Sequence, residues 1–271
     1  MLFEPTEDQE MLADTLSRFV ADAVTPNATA WSHAAKMPLD TLHGLRDLGL
    51  LGLELPESAG GAGFGSVEWV QAVEALAAGD GGLALALIVH SVSASVLAQA
   101  GDGYAAQVQA LAGGETFATL AWVDARANPL EVSEDADTFV LNGVKEAVAN
   151  AEHAKWVLVR AKLGEEDGMA WVASDAKGLS LEPQTHGLGL RSAGLANATF
   201  ADVTISKSAW FGASALKLAQ THLDLGMAAL AVGLGAASLG EGARYGMERK
   251  QFGKPIAMFQ ANQFKLADMV T

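Results

Sequence analysis

Residues 245–271 read YGMERKQFGKPIAMFQANQFKLADMVT, a helical pattern that breaks once and then resumes. The break lies at Gly253-Lys254-Pro255, because glycine and proline both disfavour the interior of a helix. Arg249 and Phe252 stand directly before it, so a cation and an aromatic ring meet at a corner between two helices. A guanidinium group binds a diphosphate through paired hydrogen bonds, and a phenyl ring packs against a flat ligand or a partner chain. The alternative to a ligand site is a solvated helix end, where cations are favourable near the C-terminus. The spacing alone favours this alternative.

The composition of the 271-residue chain limits its class. Half of the residues are hydrophobic, enough for a sizeable core in one large domain or two to three small ones. The net charge of −15 argues against nucleic acid and anionic membrane surfaces as partners. The absence of cysteine excludes a disulfide scaffold, a thiolate metal site and cysteine catalysis. The N-terminal stretch MLFEPTEDQE is acidic and has no apolar segment, so we expect no signal peptide and a cytoplasmic protein.

Two apolar segments, residues 81–101 and 225–240, are candidates for membrane spans. The second falls short of the roughly 20 residues that a span needs. We therefore expect no membrane span, and we predict that both segments are helices buried in a helical core. His90, in the first segment, is then expected to be a hydrogen-bonded core histidine.

The chain divides into three parts by its hydrophobic periodicity. Residues 1–115 follow a helical period, residues 116–212 contain β-rich runs, and the helical period returns in residues 213–271. This order, with no alternation of strands and helices, argues against a Rossmann fold. The sequence predicts an α+β multi-domain fold with an N-terminal helical domain, a small antiparallel β domain and a C-terminal helical domain.

Local signals place the ends of several elements. Thr6 and Gln9 form a capping box at the first helix, and Pro26 marks the predicted end of that helix. Ser66 is the predicted N-cap of a later helix. Asn142-Gly143 between apolar residues predicts a hairpin turn in the β domain.

Sequence motifs for common catalytic and binding sites are missing. The glycines of residues 58–66, SAGGAGFGS, match neither a P-loop nor a dinucleotide fingerprint, and a structural turn is favoured. The six histidines form no pair at metal-ligand spacing, so we expect no metal site. No G-x-S-x-G nucleophile elbow occurs. The catalytic residue stays unknown from this reasoning.

The stretch ARYGMERKQFGKPIAMFQANQFKLADM, residues 243–269, strongly resembles the C-terminal signature of the acyl-CoA dehydrogenase family. Residues 48–65, 139–162 and 187–212 resemble further parts of that family, so the resemblance covers nearly the whole chain. It implies N-terminal helices, a middle antiparallel β-barrel and a C-terminal helical bundle that is incomplete here. It also implies α,β-dehydrogenation of an acyl-CoA thioester in fatty acid β-oxidation, in which a base removes the α-proton and FAD takes the β-hydride. The implied partners are further subunits of a dimer or tetramer and an electron-transfer acceptor protein.

The resemblance assigns four cofactor-binding residues in the C-terminal stretch, where the family's corner contacts the FAD of a neighbouring subunit. Arg249 is expected to pair with the FAD pyrophosphate, and Gln251 occupies a further pyrophosphate-contacting position. Phe252 is expected to flank the cofactor, and Gln260 to lie near its adenosine half.

Other segments depart from the family pattern. Residues 123–125 replace a Thr-Glu-Pro segment and residues 147–149 replace a Trp-Ile-Thr/Ser segment, so hydroxyl and aromatic contacts to the flavin are lost. Asp224 replaces a common arginine. Most members carry the catalytic glutamate beyond the position of residue 271, and a minority carry it near Leu223. Asp224 is offset from that position by about 100° around a helix, so we do not assign it as the base.

Two functions therefore remain open. The first is a flavin-dependent acyl-CoA dehydrogenase whose catalytic glutamate lies outside this sequence. The second is a non-catalytic subunit of a heteromeric acyl-CoA dehydrogenase that supports a partner's FAD in trans. The lost flavin contacts predict that this chain alone binds little FAD.

Overall fold

The computed structural model describes residues 4–184 and 186–271, so the first three residues of the acidic N-terminal stretch lie outside the described residues. The helices are α1 (Glu7–Phe19), α2 (Thr25–Ala34), α3 (Leu39–Asp47), α4 (Ser66–Gly79), α5 (Gly81–Gln99), α6 (Ala105–Ala112), α7 (Ala213–Glu248) and α8 (Gln260–Val270). The strands are β1 (Phe117–Ala121), β2 (Val123–Asp124), β3 (Glu131–Asp135), β4 (Thr138–Val148), β5 (Ala154–Leu163), β6 (Glu166–Ala173), β7 (Leu179–Pro183), β8 (Ala196–Ser206), β9 (Trp210–Phe211), β10 (Lys250–Gln251) and β11 (Lys254–Pro255). The predicted order of helices, sheet and helices is confirmed.

The N-terminus of α1 carries the predicted capping box. The Gln9 N–H donates to Thr6 Oγ1 at 3.2 Å, and the Thr6 N–H donates to Gln9 Oε1 at 3.0 Å. The predicted end at Pro26 is wrong, because a π-helical turn over Val20–Val24 leads directly from α1 into α2. Pro26 lies in the first turn of α2, where the missing N–H costs nothing.

The N-terminus of α4 is capped one residue earlier than predicted. Gly65 is the N-cap, and its N–H donates to the carboxylate of Glu68 at 3.0 Å. Ser66 is the first residue of the helix instead, and its hydroxyl donates to Glu54 Oε1 at 3.0 Å. The prediction of Ser66 as the N-cap is therefore wrong. The Glu68 carboxylate, in the first turn of the helix, accepts the free N–H of Gly65.

The middle sheet corrects the expected antiparallel barrel in two respects. Its strand order is β7-β8-β4-β3-β5-β6-β9, with β1 beside β5 and β2 beside β4, so this path has two ends and the sheet is not closed. The strand β1 runs parallel to β5, from Phe117 opposite Ala154 to Ala121 opposite Val159. Parallel neighbours need a long connection, which residues 122–153 provide. Most of the other pairs are antiparallel, as predicted.

The predicted hairpin turn at Asn142-Gly143 is wrong, because both residues lie in the middle of the single strand β4. Gly143 has a φ of 138°, and a Cβ there would lie 2.5 Å from the Pro129 carbonyl oxygen. The glycine is needed because another backbone segment passes directly over the strand. Asn142 bonds across the sheet, donating to Asp202 Oδ1 at 3.1 Å, where β8 bulges.

The helix α5 is the centre of the N-terminal helical layer. Asp80 caps it by accepting the Leu83 N–H at 2.8 Å, and 83% of its apolar window is buried. The prediction that residues 81–101 form a buried helix is confirmed. His90 is a hydrogen-bonded core histidine, as predicted: Nδ1 accepts the Ala118 N–H at 3.3 Å and Nε2 lies 3.2 Å from the Leu111 carbonyl oxygen.

The helix α7 is longer and more exposed than predicted for residues 225–240. It spans 36 residues, and only 22% of its apolar window is buried. By length and composition alone, both α5 and α7 could cross a membrane. One side of α7 packs on α4 and α5, while Met227 and Val232 on the other side are 38% and 55% exposed. The prediction that this segment is buried is therefore wrong.

Two glycines let α7 approach the N-terminal helices closely. A Cβ at Gly226 would lie 2.6 Å from the Trp69 indole, and one at Gly233 would lie 2.3 Å from the Glu74 carbonyl oxygen. Beside them, His222 Nε2 lies 2.7 Å from Glu54 Oε2, and both side chains are largely buried. This close contact between His222 and Glu54, together with the two glycines, holds α7 against the N-terminal layer.

The central strand β5 contributes residues to a hydrophobic cluster on each of its faces. One hydrophobic cluster joins the N-terminal helices and α7 to sheet residues that include Leu158 and Met169. A second cluster lies within the sheet and contains Leu141, Val157 and Phe200. The alternation of Val157 and Leu158 along β5 between these clusters follows the period of two expected for a strand. The proposed domain boundaries at residues 115/116 and 212/213 stay a prediction.

The buried histidine predicts a pH dependence of stability. Burial lowers the pKa of His90 from 6.5 to about 4. The stability that the neutral ring contributes is therefore fully present above pH 6.5 and is lost as the pH falls towards 4. We expect the wild type to lose about 2 kcal/mol more unfolding free energy than His90→Gln between about pH 7.5 and about pH 5. Urea unfolding of both proteins at the two pH values measures this, and equal losses would contradict it.

Candidate cofactor-binding site

The corner after α7 is a tight two-residue hairpin. Arg249 is the C-cap of α7, and β10 and β11 pair on either side of Phe252-Gly253. Both turn residues have positive φ, 51° for Phe252 and 79° for Gly253, as in a type I′ turn. The left-handed conformation costs a phenylalanine about 1–2 kcal/mol, and its ring is 93% exposed. A strained residue whose ring stays exposed, apart from an edge contact with Phe259, indicates a functional site.

The two arginines near this corner differ in their partners. Arg244 Nη1 donates to Glu248 at 2.8 Å and its Nε donates to Glu241 at 3.2 Å. The guanidinium of Arg249 has no hydrogen bond or ion pair with any described residue. Arg249 is also exposed, so its N–H donors are available to a ligand or to another chain.

The structure brings three of the four predicted cofactor residues into one hairpin and places the fourth nearby. Arg249, Gln251 and Phe252 belong to the hairpin, and Gln260 is the first residue of α8. All four side chains are exposed.

The hairpin is fixed to α8 by contacts that sequence reasoning missed. The Ile256 N–H donates to the Arg249 carbonyl oxygen at 2.8 Å, and Asn262 Nδ2 donates to the Ile256 carbonyl oxygen at 2.8 Å. Lys254 Nζ lies 4.5 Å from the centre of the Phe259 ring. These contacts hold the corner in one geometry.

A second part of the candidate site lies at the ends of β2 and β4. Val123 is 51% exposed, while Ala147 has a left-handed φ of 55° and Ala149 is buried. The nearby hydroxyl of Thr119 donates to the Ala149 carbonyl oxygen and is itself buried. The side chains of Val123 and Ala147 therefore offer apolar surface, and none of the three residues offers a hydroxyl.

Sequence reasoning missed a buried lysine beneath this surface. Lys145 Nζ lies 2.6 Å from Asp124 Oδ1, which also accepts the Leu130 N–H at 2.9 Å. Burial lowers the pKa of Lys145, and the contact of its ammonium with the accepting Asp124 carboxylate opposes that shift. The alternation of side chains along β4 could have predicted this burial. Lys145 is an even number of residues from the buried Leu141 and therefore points to the same face of the strand.

The structure offers no new reason to assign a catalytic base. Asp224 is exposed on α7 and accepts the Gln220 amide N–H at 2.7 Å, while Leu223 is half-buried. The offset between these two positions stands as predicted from the helical period.

Comparisons with known proteins agree with this architecture. Sequence models of the acyl-CoA dehydrogenase family match the N-terminal domain at residues 6–109, the middle domain at residues 123–203 and the C-terminal domain at residues 215–271. A probable acyl-CoA dehydrogenase of Bacillus subtilis (strain 168), YngJ, is 33% identical over 290 residues, which cover 99% of this chain and 76% of that protein.

Solved structures agree with the fold. Butyryl-CoA dehydrogenase from Megasphaera elsdenii has a TM-score of 0.88 and 25% identity, covering 100% of this chain and 76% of that chain. A glutaryl-CoA dehydrogenase from Mycobacterium smegmatis, solved in complex with FADH2, has a TM-score of 0.88 and 24% identity, covering 98% and 72%. Since all three domain models match in order and YngJ is matched over 76% of its length, the chain belongs to the acyl-CoA dehydrogenase family.

Proposed function

We propose that the protein is an FAD-dependent oxidoreductase that acts on the CH–CH group of an acyl-CoA thioester. The observation that carries this proposal is the ordered match of all three family domains, together with a corner whose Arg249 has no partner among the described residues. FAD, when bound, accepts the hydride from the β-carbon of the acyl group. The proposed setting is fatty acid β-oxidation in the cytoplasm, with an electron-transfer protein as the acceptor.

The corner fits one end of FAD. A guanidinium offers five N–H donors in a planar fork that matches the oxygens of a diphosphate. The exposed ring of Phe252 lies beside it, and Gln251 and Gln260 add amide groups. We propose that Arg249 and Gln251 bind the pyrophosphate, that Phe252 flanks the cofactor and that Gln260 lies near the adenosine.

The surface around residues 123, 147 and 149 fits the flavin ring less well. Val123 offers an apolar contact, but the three side chains can neither stack on a ring nor donate a hydrogen bond. Retention of FAD is therefore proposed to depend on the corner. The four side chains of the corner are exposed and have no pocket formed by the described residues of their own chain around them. This supports a role for the corner in binding a cofactor held by a second subunit.

We propose that the protein is an oligomer, a dimer or a tetramer. Apolar side chains on α7 and α8 stay uncovered: Tyr245 is 53% exposed, Phe264 60% and Val270 71%. Several exposed apolar side chains on two helices that contact each other indicate an interaction site.

Sedimentation velocity of the purified chain tests the oligomer. We expect a species larger than one chain at micromolar concentration, because the apolar side of α7 and α8 needs cover. Val232→Asp on that side should shift the distribution towards the monomer, and Leu188→Asp on the exposed loop of the sheet domain is the matched control. A compact monomer in the wild type would contradict the proposal.

The alternative function is a non-catalytic subunit that supports a partner's FAD. The observation that favours it is the apolar character of residues 123, 147 and 149 in a chain that also carries a well-formed corner. Flavin reduction separates the two functions, because only the dehydrogenase transfers a hydride.

The main test is the visible flavin spectrum of protein purified in the presence of FAD. The chain alone is expected to bind little FAD. In the assembled protein that also supplies the missing glutamate, we expect bound flavin and loss of its visible absorbance on anaerobic addition of acyl-CoA thioesters of increasing chain length. Free fatty acids are the control, since they lack the thioester that acidifies the α-proton. Bound flavin that no acyl-CoA reduces would contradict the dehydrogenase and support the alternative.

The corner yields a mutational prediction. Arg249→Ala should weaken FAD binding to the assembled protein by about one to two powers of ten, because a charge-assisted hydrogen bond contributes about 1.5–3 kcal/mol. The unfolding free energy without FAD should change by less than about 1 kcal/mol, since the side chain is a helix-end cation. Arg249→Lys should restore only part of the affinity, because it lacks the planar fork.

Arg244→Ala is the matched control for this experiment. Arg244 lies on the same helix but is already paired with two glutamates, so its loss should leave FAD affinity unchanged. FAD titrations of the three variants and the wild type give the comparison. Equal affinity in Arg249→Ala and Arg244→Ala would show that Arg249 is only a helix-end charge.

A further inference from the structure

A wide groove lies between α1, α4 and α7, with a volume of about 720 Å³. One wall follows α1 and the π-helical turn from Ala13 to Thr25, α4 forms the floor, and Gly233 and Ala236 of α7 form the other wall. Most of the lining side chains are small or apolar, so a further helix can approach to the usual interaxial distance of about 8–10 Å. Residues 13–25 span about 18 Å in helical conformation, which gives the groove the length of a helix of about three turns.

The floor of the groove carries two polar groups without partners. Gln71 Oε1 is buried and accepts no hydrogen bond from any described residue. The half-buried carboxylate of Glu74 has no hydrogen bond or ion pair within the described chain. A buried acceptor without a donor is destabilising. The groove therefore favours an occupant that is mostly apolar and also brings a cation or an N–H donor.

The wall that α1 forms is acidic. Over Glu7–Phe19 it has one cation, Arg18, and four acids, which are Glu7, Asp8, Glu10 and Asp14. Glu10 and Asp14 lie within one turn of Ala13, so they border the groove. Their charge attracts a basic partner.

The C-terminal segment of the chain has the complementary character. Residues 249–270 hold four cations and one acid. Their helix α8 has 11 residues and is about 16 Å long. None of the residues of α8, all of which the structure describes, is buried in its own chain. Phe264 and Met269 are exposed apolar side chains, and the exposed Lys265 has no ion pair within the described chain.

The groove is out of reach of α8 from the same chain. Leu266 of α8 packs on α7 at Gly242, where a Cβ would lie 3.9 Å from Leu266 Cδ2. Gly233, which lines the groove, is about 180° from Gly242 around α7 at 100° per residue. Because α8 lies on the opposite side of α7, a helix in the groove comes from another molecule.

We propose that α8 of a second copy of this chain packs in the groove. Its apolar side lies against the small side chains of α1 and α4, and its Lys265 pairs with Glu74. Lys250 and Lys254, in the hairpin that precedes α8, then approach the acidic α1 of the chain that provides the groove. The inference rests on the proposed oligomer and names the two surfaces that meet. In a two-fold dimer each chain provides both of them.

Cysteine cross-linking tests the contact, because the chain has no cysteine of its own. One protein carries Ser17→Cys in the groove wall, and a second, tagged protein carries Ala267→Cys on α8; both positions are exposed and both changes are small. Mild oxidation of the mixture at micromolar concentration should give a disulfide-linked heterodimer on a non-reducing gel. Ser180→Cys, at an exposed position of β7, replaces Ala267→Cys in the matched control and should give only background cross-linking.

Charge reversal gives a second readout. Glu74→Lys and Lys265→Glu each bring like charges together, so each should weaken self-association in sedimentation equilibrium by about tenfold or more. The two changes in one chain restore opposite charges and should recover most of the association. Asp175→Lys makes the same charge change at an exposed turn of the sheet domain and should associate like the wild type. Since Lys265 is exposed, Lys265→Glu reports on the contact even if Glu74→Lys fails to fold.

The outcomes separate this inference from the proposed function. A chain that self-associates, but shows neither the cross-link nor an effect of Lys265→Glu, overturns the groove contact and leaves the oligomer intact. A monomeric chain overturns both. A monomeric chain whose assembly with a different protein depends on Glu74 overturns the second copy as the occupant and assigns the groove to that protein. Neither assay measures flavin reduction, so the dehydrogenase is tested independently.

Discussion

The close approach of α7 to the N-terminal helices is the constraint on which the arrangement of the molecule depends. Gly226 and Gly233 leave no room for a side chain against Trp69 and the Glu74 backbone, and His222 meets Glu54 beside them. Because α7 follows the sheet in the chain, this contact joins the first and last parts of the protein around the middle one. It also places the first turns of α7 beside β5, so that Arg160 on β5 and Lys217 on α7 line one cleft.

The protein carries a net negative charge, but some parts of it are locally positive. The chain is strongly acidic, yet Lys145 and Arg160 place positive charge in the sheet and Arg249 is an exposed cation at the corner. Lys145 has its own carboxylate and is internal, so it contributes positive potential without being a ligand. Arg160 and Arg249 have no such partner among the described residues. An acidic surface around a few unpaired cations discourages polyanions while leaving room for small phosphorylated ligands.

Sequence reasoning succeeded where the cause is local and failed where it is tertiary. The capping box at Thr6 and the strand alternation in β5 depend on neighbours in the chain, so they were predictable. Asn142-Gly143 has the composition of a turn, but the glycine serves the passage of residues 129–130 over β4. The Arg249 corner could be found because its residues are contiguous. The cleft that Arg160 and Lys217 line could not be found, since these two residues lie more than fifty residues apart in the chain.

The length of α7 gives its far end a mechanical consequence. The helix is clamped by the N-terminal layer up to Gly233, and the next buried residue is Gly246, which meets Ala257 of its own C-terminal segment. The stretch from Gly233 to Arg249 is a lever of about 24 Å at 1.5 Å per residue. A tilt of about 5° at its fulcrum would move the guanidinium by about 2 Å, enough to break a hydrogen bond. The alignment of the corner therefore depends on whatever braces the exposed side of this lever.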